Sequence, residues 1–144
     1  MKDKYLISVI GTQFVDGEKD VVKLKTAGEY YCENDIIYIK YKEYDNENPM
    51  ICFDNTVTVE GDNIVTVIRG GAANSRLTLE KGRRHQCHYN TMFGDLMVGV
   101  FTNVIENNLN EKGGTLQASY TLDFNAGLVS KNDIFIKVTE KEGN

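Results

Sequence analysis

A single proline, Pro49, stands in this chain and there is no tryptophan, so punctuation falls to its 13 glycines and to Asn and Asp. No apolar run is long enough to span a bilayer. The opening "MKDKYLISVIGTQ" turns polar too soon for the apolar core of a signal peptide, so a cytoplasmic, membrane-free protein is expected. Three cysteines without a secretion signal read as reduced thiols, not as a disulfide framework. Positive charge is also short. The net charge of −5 argues against a dedicated nucleic-acid binder, because phosphate neutralisation supplies most of that affinity.

What is present is an ordinary globular composition, 41% hydrophobic and 26% charged, with 8 tyrosines and 6 phenylalanines. At 144 residues the chain reads as one domain spanning 1–144. The charge is uneven: Arg69, Arg76, Lys81, Arg83 and Arg84 face only Glu80 between positions 69 and 85. Such a stretch receives a carboxylate or phosphate, or is the solvated face of a hairpin.

Period-2 alternation recurs along the chain and no segment carries a 3.6-residue period. In "TVTVE" Val57 and Val59 alternate with Thr56, Thr58 and Glu60. In "TLQASYTLDF" Leu116, Ala118, Tyr120, Leu122 and Phe124 share a face. "DLMVGVFTNVIE" is apolar on both faces at first, as in a strand covered on both sides or bent at Gly99. Turn signals separate the runs, among them Asp16-Gly17, Gly61-Asp62-Asn63, Gly113-Gly114 and Asn125-Ala126-Gly127. About ten strands are predicted, near 4–13, 20–31, 36–44, 52–60, 64–70, 75–80, 83–90, 95–107, 115–124 and 128–139. A meander of this kind leaves two unpaired edges unless it closes. The expected fold is therefore all-β, a single closed and mostly up-and-down antiparallel barrel.

Both histidines and one cysteine crowd into "GRRHQCHYNT" at 82–91. A three-residue turn, Glu80-Lys81-Gly82, needs left-handed geometry only at Gly82. It would set Leu79 opposite Arg83 and Leu77 opposite His85, with Cys87 and Tyr89 on the same inward face and His88 outward. A zinc site needs about four converging ligands, and alternation separates His88 from His85 and Cys87, so no metal is expected. A Cys87/His85 nucleophile needs mutual reach and an electropositive, partly exposed setting. Buried cysteine is more often a small apolar side chain, and no hydrolase elbow or phosphate-binding loop accompanies this one.

Arg69 lies in phase with Val65 and Val67, and Arg83 lies in phase with Leu79. If those faces are inward, each guanidinium points into the barrel or across its mouth and needs a carboxylate, carbonyl or bound anion, or snorkels to the rim. Tyr38, Tyr41, Tyr89 and Tyr120 can offer hydroxyls to a ligand or pack as barrel aromatics.

The order of "GEYY", "IYIKYKEY", "TVTVEGDNIVTVIRGG", "SRLTLEKG", "TMFGDL" and "YTLDF" resembles the YwiB-like family of small bacterial proteins of unknown function. The resemblance runs over nearly the whole chain and implies a calycin, or lipocalin-like, β-barrel. It supplies no catalytic residues, favours Arg69, Tyr41, Tyr89 and Gly94 as framework positions, and departs from the family pattern at Met92 and Phe93. The leading functional expectation is a non-enzymatic binder of a small amphipathic or anionic ligand in the barrel, lined by Arg69, Arg83, His85, Tyr89, Tyr41 and Tyr120, with no cofactor. A protein-interaction or structural module with a filled barrel, using exterior residues such as Ile37, Ile39 or Phe101, is the alternative. A thiol enzyme using Cys87 and His85 is third.

Overall fold

The structure, a computed structural model, describes residues 5–45, 47–71, 74–91, 94–124 and 128–141. Ten strands follow one another: β1 (Tyr5–Val15), β2 (Glu18–Glu33), β3 (Ile36–Tyr44), β4 (Cys52–Glu60), β5 (Ile64–Gly71), β6 (Ser75–Glu80), β7 (Arg84–Thr91), β8 (Gly94–Asn110), β9 (Gly113–Phe124) and β10 (Leu128–Glu140). Each pairs antiparallel with its sequence neighbour, and β1 pairs with β10 from Tyr5–Glu140 to Phe14–Lys131, so the barrel is closed. The alternation-based expectation of an all-β barrel therefore holds.

Turn chemistry fixes the local geometry. Asp16 and Gly17 join Val15 to Glu18 with φ of 51° and 78°, and Asn34 and Asp35 join Glu33 to Ile36 with φ of 55° and 67°. Two consecutive left-handed residues are what a tight two-residue hairpin demands, and Asn, Asp and Gly tolerate that conformation best. The expected pairing of Phe124 with Leu128 is also present; the loop between them lies outside the described residues.

Inward positions in the middle of the barrel are aliphatic. Ile7, Ile39, Val57, Val59, Val65, Leu79, Val100, Leu116, Ile136 and Val138 are all fully buried and pack as one cluster. Branched side chains from eight of the ten strands converge on one axis and fill it. The middle therefore leaves no room for the ligand expected in the barrel interior. The same packing corrects the exterior placement of Ile37 and Ile39: Ile39 is wholly buried and Ile37 packs against the core.

Apart from the buried Thr102, which lies toward the β6–β7 turn, polar interior residues such as Asn55, Ser130 and Asn132 gather at the end where β1–β2, β3–β4, β5–β6, β7–β8 and β9–β10 connect. Two irregularities open the wall. The β2–β3 ladder runs only from Gly28–Tyr41 to Glu33–Ile36, so Glu18–Ala27 pairs with β1 alone. Glycine is required where the two strands meet, because a Cβ at Gly28 would overlap the Lys40 carbonyl oxygen and Ile7 Cδ1.

The second irregularity corrects the expected β6–β7 register. The pairs are Ser75–Tyr89 and Arg76–His88, two residues beyond the register that sets Leu77 opposite His85. The turn is stretched because it is bonded elsewhere: the Gly82 N–H donates to Thr102 O at 2.8 Å and the Lys81 N–H to Asn63 O at 2.9 Å. Gly82 keeps the expected left-handed conformation, φ 79°. A shift of two preserves parity, so Cys87 is buried and His88 exposed as alternation requires. Below Arg76–His88 the two strands part, and the Cys87 thiol sulfur accepts the Thr78 N–H at 3.4 Å.

On the outer wall Arg84 reaches across β8 to Asp123 of β9, with Nη2 to Oδ1 at 2.6 Å. Gly99 lies between them, and a Cβ there would collide with the guanidinium. The double-stranded span is thus possible only over a residue without a side chain. The hydrogen bond from Arg84 holds the Asp123 carboxyl below the usual carboxylate range.

Candidate binding site at the polar mouth

The inward phase of β3 carries Tyr41 and Glu43 beyond Ile39, that of β4 carries Phe53 and Asn55 before Val57, and that of β5 carries Arg69 beyond Val67. Cross-strand register then sets Asn55 opposite both Tyr41 and Arg69. Arg69 Nη2 donates to Glu43 Oε1 at 3.1 Å, and Asn55 Nδ2 donates to the same oxygen at 3.4 Å. The guanidinium carbon lies 4.0 Å from the centroid of the Phe53 ring, a cation–π contact. Arg69 Nε is buried without a hydrogen-bond partner among the described residues. A guanidinium held on one edge and stacked on an aromatic face retains unused donor capacity.

Across the mouth, β10 pairs Asn132 with Tyr120 of β9 and buries both Asn132 and Ser130, whose side chains bond each other at 3.1 Å. Tyr41 feels the whole arrangement. Burial raises its phenol pKa most, the Glu43 carboxylate adds to this, and Arg69 partly offsets it, giving about 12. Where β2 leaves β3, a cleft of about 400 Å³ opens through the wall, its lining including Thr26, Tyr41, Asn55, Lys40 and Lys42. Interior polar groups and solvent therefore meet at this notch.

Tyr30 at the opposite end is also raised to about 12, chiefly by burial, and its hydroxyl donates to Asn110 O at 2.6 Å. Both phenols are neutral in the folded state over a pH range where an unfolded tyrosine ionises. Their contribution to stability is present below pH 10 and lost as pH rises toward 12. In a spectrophotometric titration of the 8 tyrosines, two are expected to ionise late and together with alkaline unfolding. Tyr41→Phe should remove one of the late phenols.

The sequence-derived candidates divide. Arg69, Tyr41 and Tyr120 come together at the mouth. The side chain of Tyr89 lies outside the described residues, although its backbone pairs with Ser75 beside Arg69. Arg83 and His85 belong to the other end. Arg83 is 73% exposed and pairs with Glu80 at 3.5 Å, so it is a rim residue and not a pocket residue. His85 Nε2 lies 2.8 Å from Glu80 Oε1, which ties the imidazole to the β6–β7 turn. The apparent basic stretch is likewise dispersed, since Arg69, Arg83 and Arg84 each have a carboxylate partner. No three His, Cys, Asp or Glu side chains converge on a possible metal position among the described residues.

Glu43, Phe53, Asn55 and Asn132 were not anticipated. Their signal was available: counting back through the Gly61-Asp62-Asn63 turn sets Asn55 beside Arg69, and Glu43 continues the Ile39, Tyr41 phase.

A filled, closed ten-stranded antiparallel barrel with a polar mouth is the class of protein that these features define. The model of a family described as a domain of unknown function, DUF1934, matches residues 7–136, and the chain belongs to that family. The uncharacterized beta-barrel protein YwiB of Bacillus subtilis (strain 168) is 25% identical over 107 residues, covering 74% of this chain and 72% of that protein. The crystal structure of ywiB protein from Bacillus subtilis matches with a TM-score of 0.73 at 23% identity, covering 94% of this chain and 92% of that one. That likeness shows the fold.

Proposed function

We propose that the protein is a non-enzymatic binding barrel that takes a small anionic, partly apolar molecule at its polar mouth. The observation that carries this reading is the buried Arg69 Nε without a partner, in a guanidinium bonded to Glu43 and stacked on Phe53. A carboxylate or phosphate entering through the notch would meet the phenol of Tyr41 and the amide of Asn55, with its apolar part against aromatic rings. A cleft of about 400 Å³ suits a compact molecule. The aliphatic middle sets the depth of entry, so the ligand sits at the mouth and not along the axis.

Native mass spectrometry of the protein purified from cells should retain a small-molecule adduct. Arg69→Lys keeps the charge but loses the planar fork, and should cut retention at least about tenfold, matching the ~1.5–3 kcal/mol of a hydrogen bond to a charged group. Arg83→Gln, on the rim at the other end of the barrel, should leave it nearly unchanged. Absence of any adduct, together with no thermal shift from hexanoate or phenyl phosphate, would end this reading.

A further inference from the structure

We infer that the free edge of β2, Glu18–Ala27, is a strand-addition surface for an extended acidic segment of a partner protein. This goes beyond the mouth site: it borders the same cleft at Thr26, Ala27, Lys40 and Lys42 but uses neither Arg69, Tyr41 nor Asn55. Among the described residues these ten positions pair on one side only, with β1, while the β2–β3 ladder begins at Gly28. Backbone N–H and C=O groups along such an edge are a template for one more strand.

The side chains choose the strand. Even-numbered residues of β2 share the inward phase of Gly28 and Tyr30, so Lys19, Val21, Lys23 and Lys25 face outward. On the far side of the notch Lys40 and Lys42 face outward from β3. Lys42 is spoken for by Asp54 at 3.8 Å, and Lys40 lies over the rings of Tyr31 and Tyr38. Lys19 lies over Phe14, but Lys23 and Lys25 have no ion-pair partner among the described residues. An incoming strand therefore meets an outward row of lysines on a protein of net charge −5. Its other face meets Val22, Leu24 and Thr26, with the acids Glu18 and Asp20 only at the hairpin end, and Val21 and Val22 are exposed at 42% and 58%. Alternating acidic and small apolar residues match both faces.

A second copy does not match. Two β2 edges related by a two-fold axis must pair residues of the same face. A register centred on residue 21 sets Lys19 opposite Lys23, and one centred on 22 sets Lys19 opposite Lys25. Centres at 23 and 25 set Lys23 and Lys25 opposite themselves, and a centre at 24 sets Lys23 opposite Lys25. Like charges directly opposite destabilise a strand pair. The lysine row thus repels its own kind and selects an acidic strand.

A ten-residue capped peptide alternating glutamate with valine and threonine tests this, with its lysine-for-glutamate counterpart as control. The acidic peptide should bind by fluorescence anisotropy and slow amide hydrogen exchange within Lys19–Ala27; the lysine peptide should do neither. Lys23→Glu/Lys25→Glu, an exposed double change, should weaken binding at least tenfold, whereas Arg69→Lys should leave it unchanged. Equal binding of both peptides, or acidic-peptide binding without β2 protection, overturns the inference. So does a sedimenting dimer of the protein alone whose β2 amides are already protected, which would put a second copy on this edge. Loss of peptide binding in Arg69→Lys alone would instead place the peptide at the mouth.

Discussion

Leu79→Ala is expected to lower the unfolding free energy by about 2–5 kcal/mol, the range for removing a buried leucine whose cavity collapses only in part. Leu79 is 0% exposed and sits in the inward layer opposite Val65, in one cluster with Val57, Val100, Leu116 and Ile136. Those neighbours are anchored on different strands of a closed ladder, so no single one can move in to fill the gap. The cost should therefore fall in the upper half of the range. Chemical denaturation with circular dichroism measures it, and an unchanged denaturant slope would show that the loss is in packing and not in the unfolded chain. The same measurement on Met50→Ser, at a side chain 90% exposed, should lie within about 0.5 kcal/mol of the parent. A loss below about 1 kcal/mol for Leu79→Ala would mean the middle is loosely filled, and would return the ligand question to the barrel centre.

Gly28→Ala carries the second large effect, about 1–3 kcal/mol, from an atom added where none fits. The added Cβ points inward at the Ile7 side chain and also meets the backbone oxygen of Lys40. Ile7 can rotate only into other fully buried neighbours, and the Lys40 carbonyl belongs to the neighbouring strand β3. Relief must come from separating β2 and β3 at the head of their ladder, which would widen the notch beside Tyr41. Gly11→Ala provides the contrast. A Cβ there meets nothing within 4 Å, so the change should be neutral or stabilising by a few tenths of a kcal/mol, as strand glycines usually are. Equal effects at Gly28 and Gly11 would show that crowding is not the cause. Mouth-ligand retention measured on Gly28→Ala should change even at temperatures where the variant remains folded.

Much of the architecture was readable because period-2 alternation does not depend on tertiary detail. Val57 with Val59 and Leu116 with Ala118 declared their inward face locally, and the structure buries all four. The parity of His85, Cys87 and His88 was legible for the same reason. Register was not, where a turn is bonded by a third element. Nothing in Glu80-Lys81-Gly82 announces that Thr102, twenty residues further on, will take the Gly82 N–H. The end of the barrel to which a residue belongs follows from strand direction, and that separates Arg69 from Arg83 although fourteen positions divide them in sequence. Glu43 and Phe53 are harder to place, because a lone acid or aromatic at a strand end looks like rim decoration until its cross-strand neighbour is known.

The parted stretch of β6 and β7 has a dynamic consequence. A closed barrel cannot open at an ordinary ladder without breaking a run of backbone hydrogen bonds, but among the described residues this seam has two backbone residue pairs, beside the Thr78–Cys87 and Glu80–His85 contacts. Sulfur is a weak acceptor, so the Thr78 amide is guarded less firmly than its strand neighbours, and the thiol that guards it is buried at 5% exposure. Opening along this line needs no strand to leave the sheet on its other side. Local opening along this seam is the expected result: Thr78 should exchange its amide hydrogen early, and Cys87 should become alkylatable at the rate of that opening and not at the rate of global unfolding.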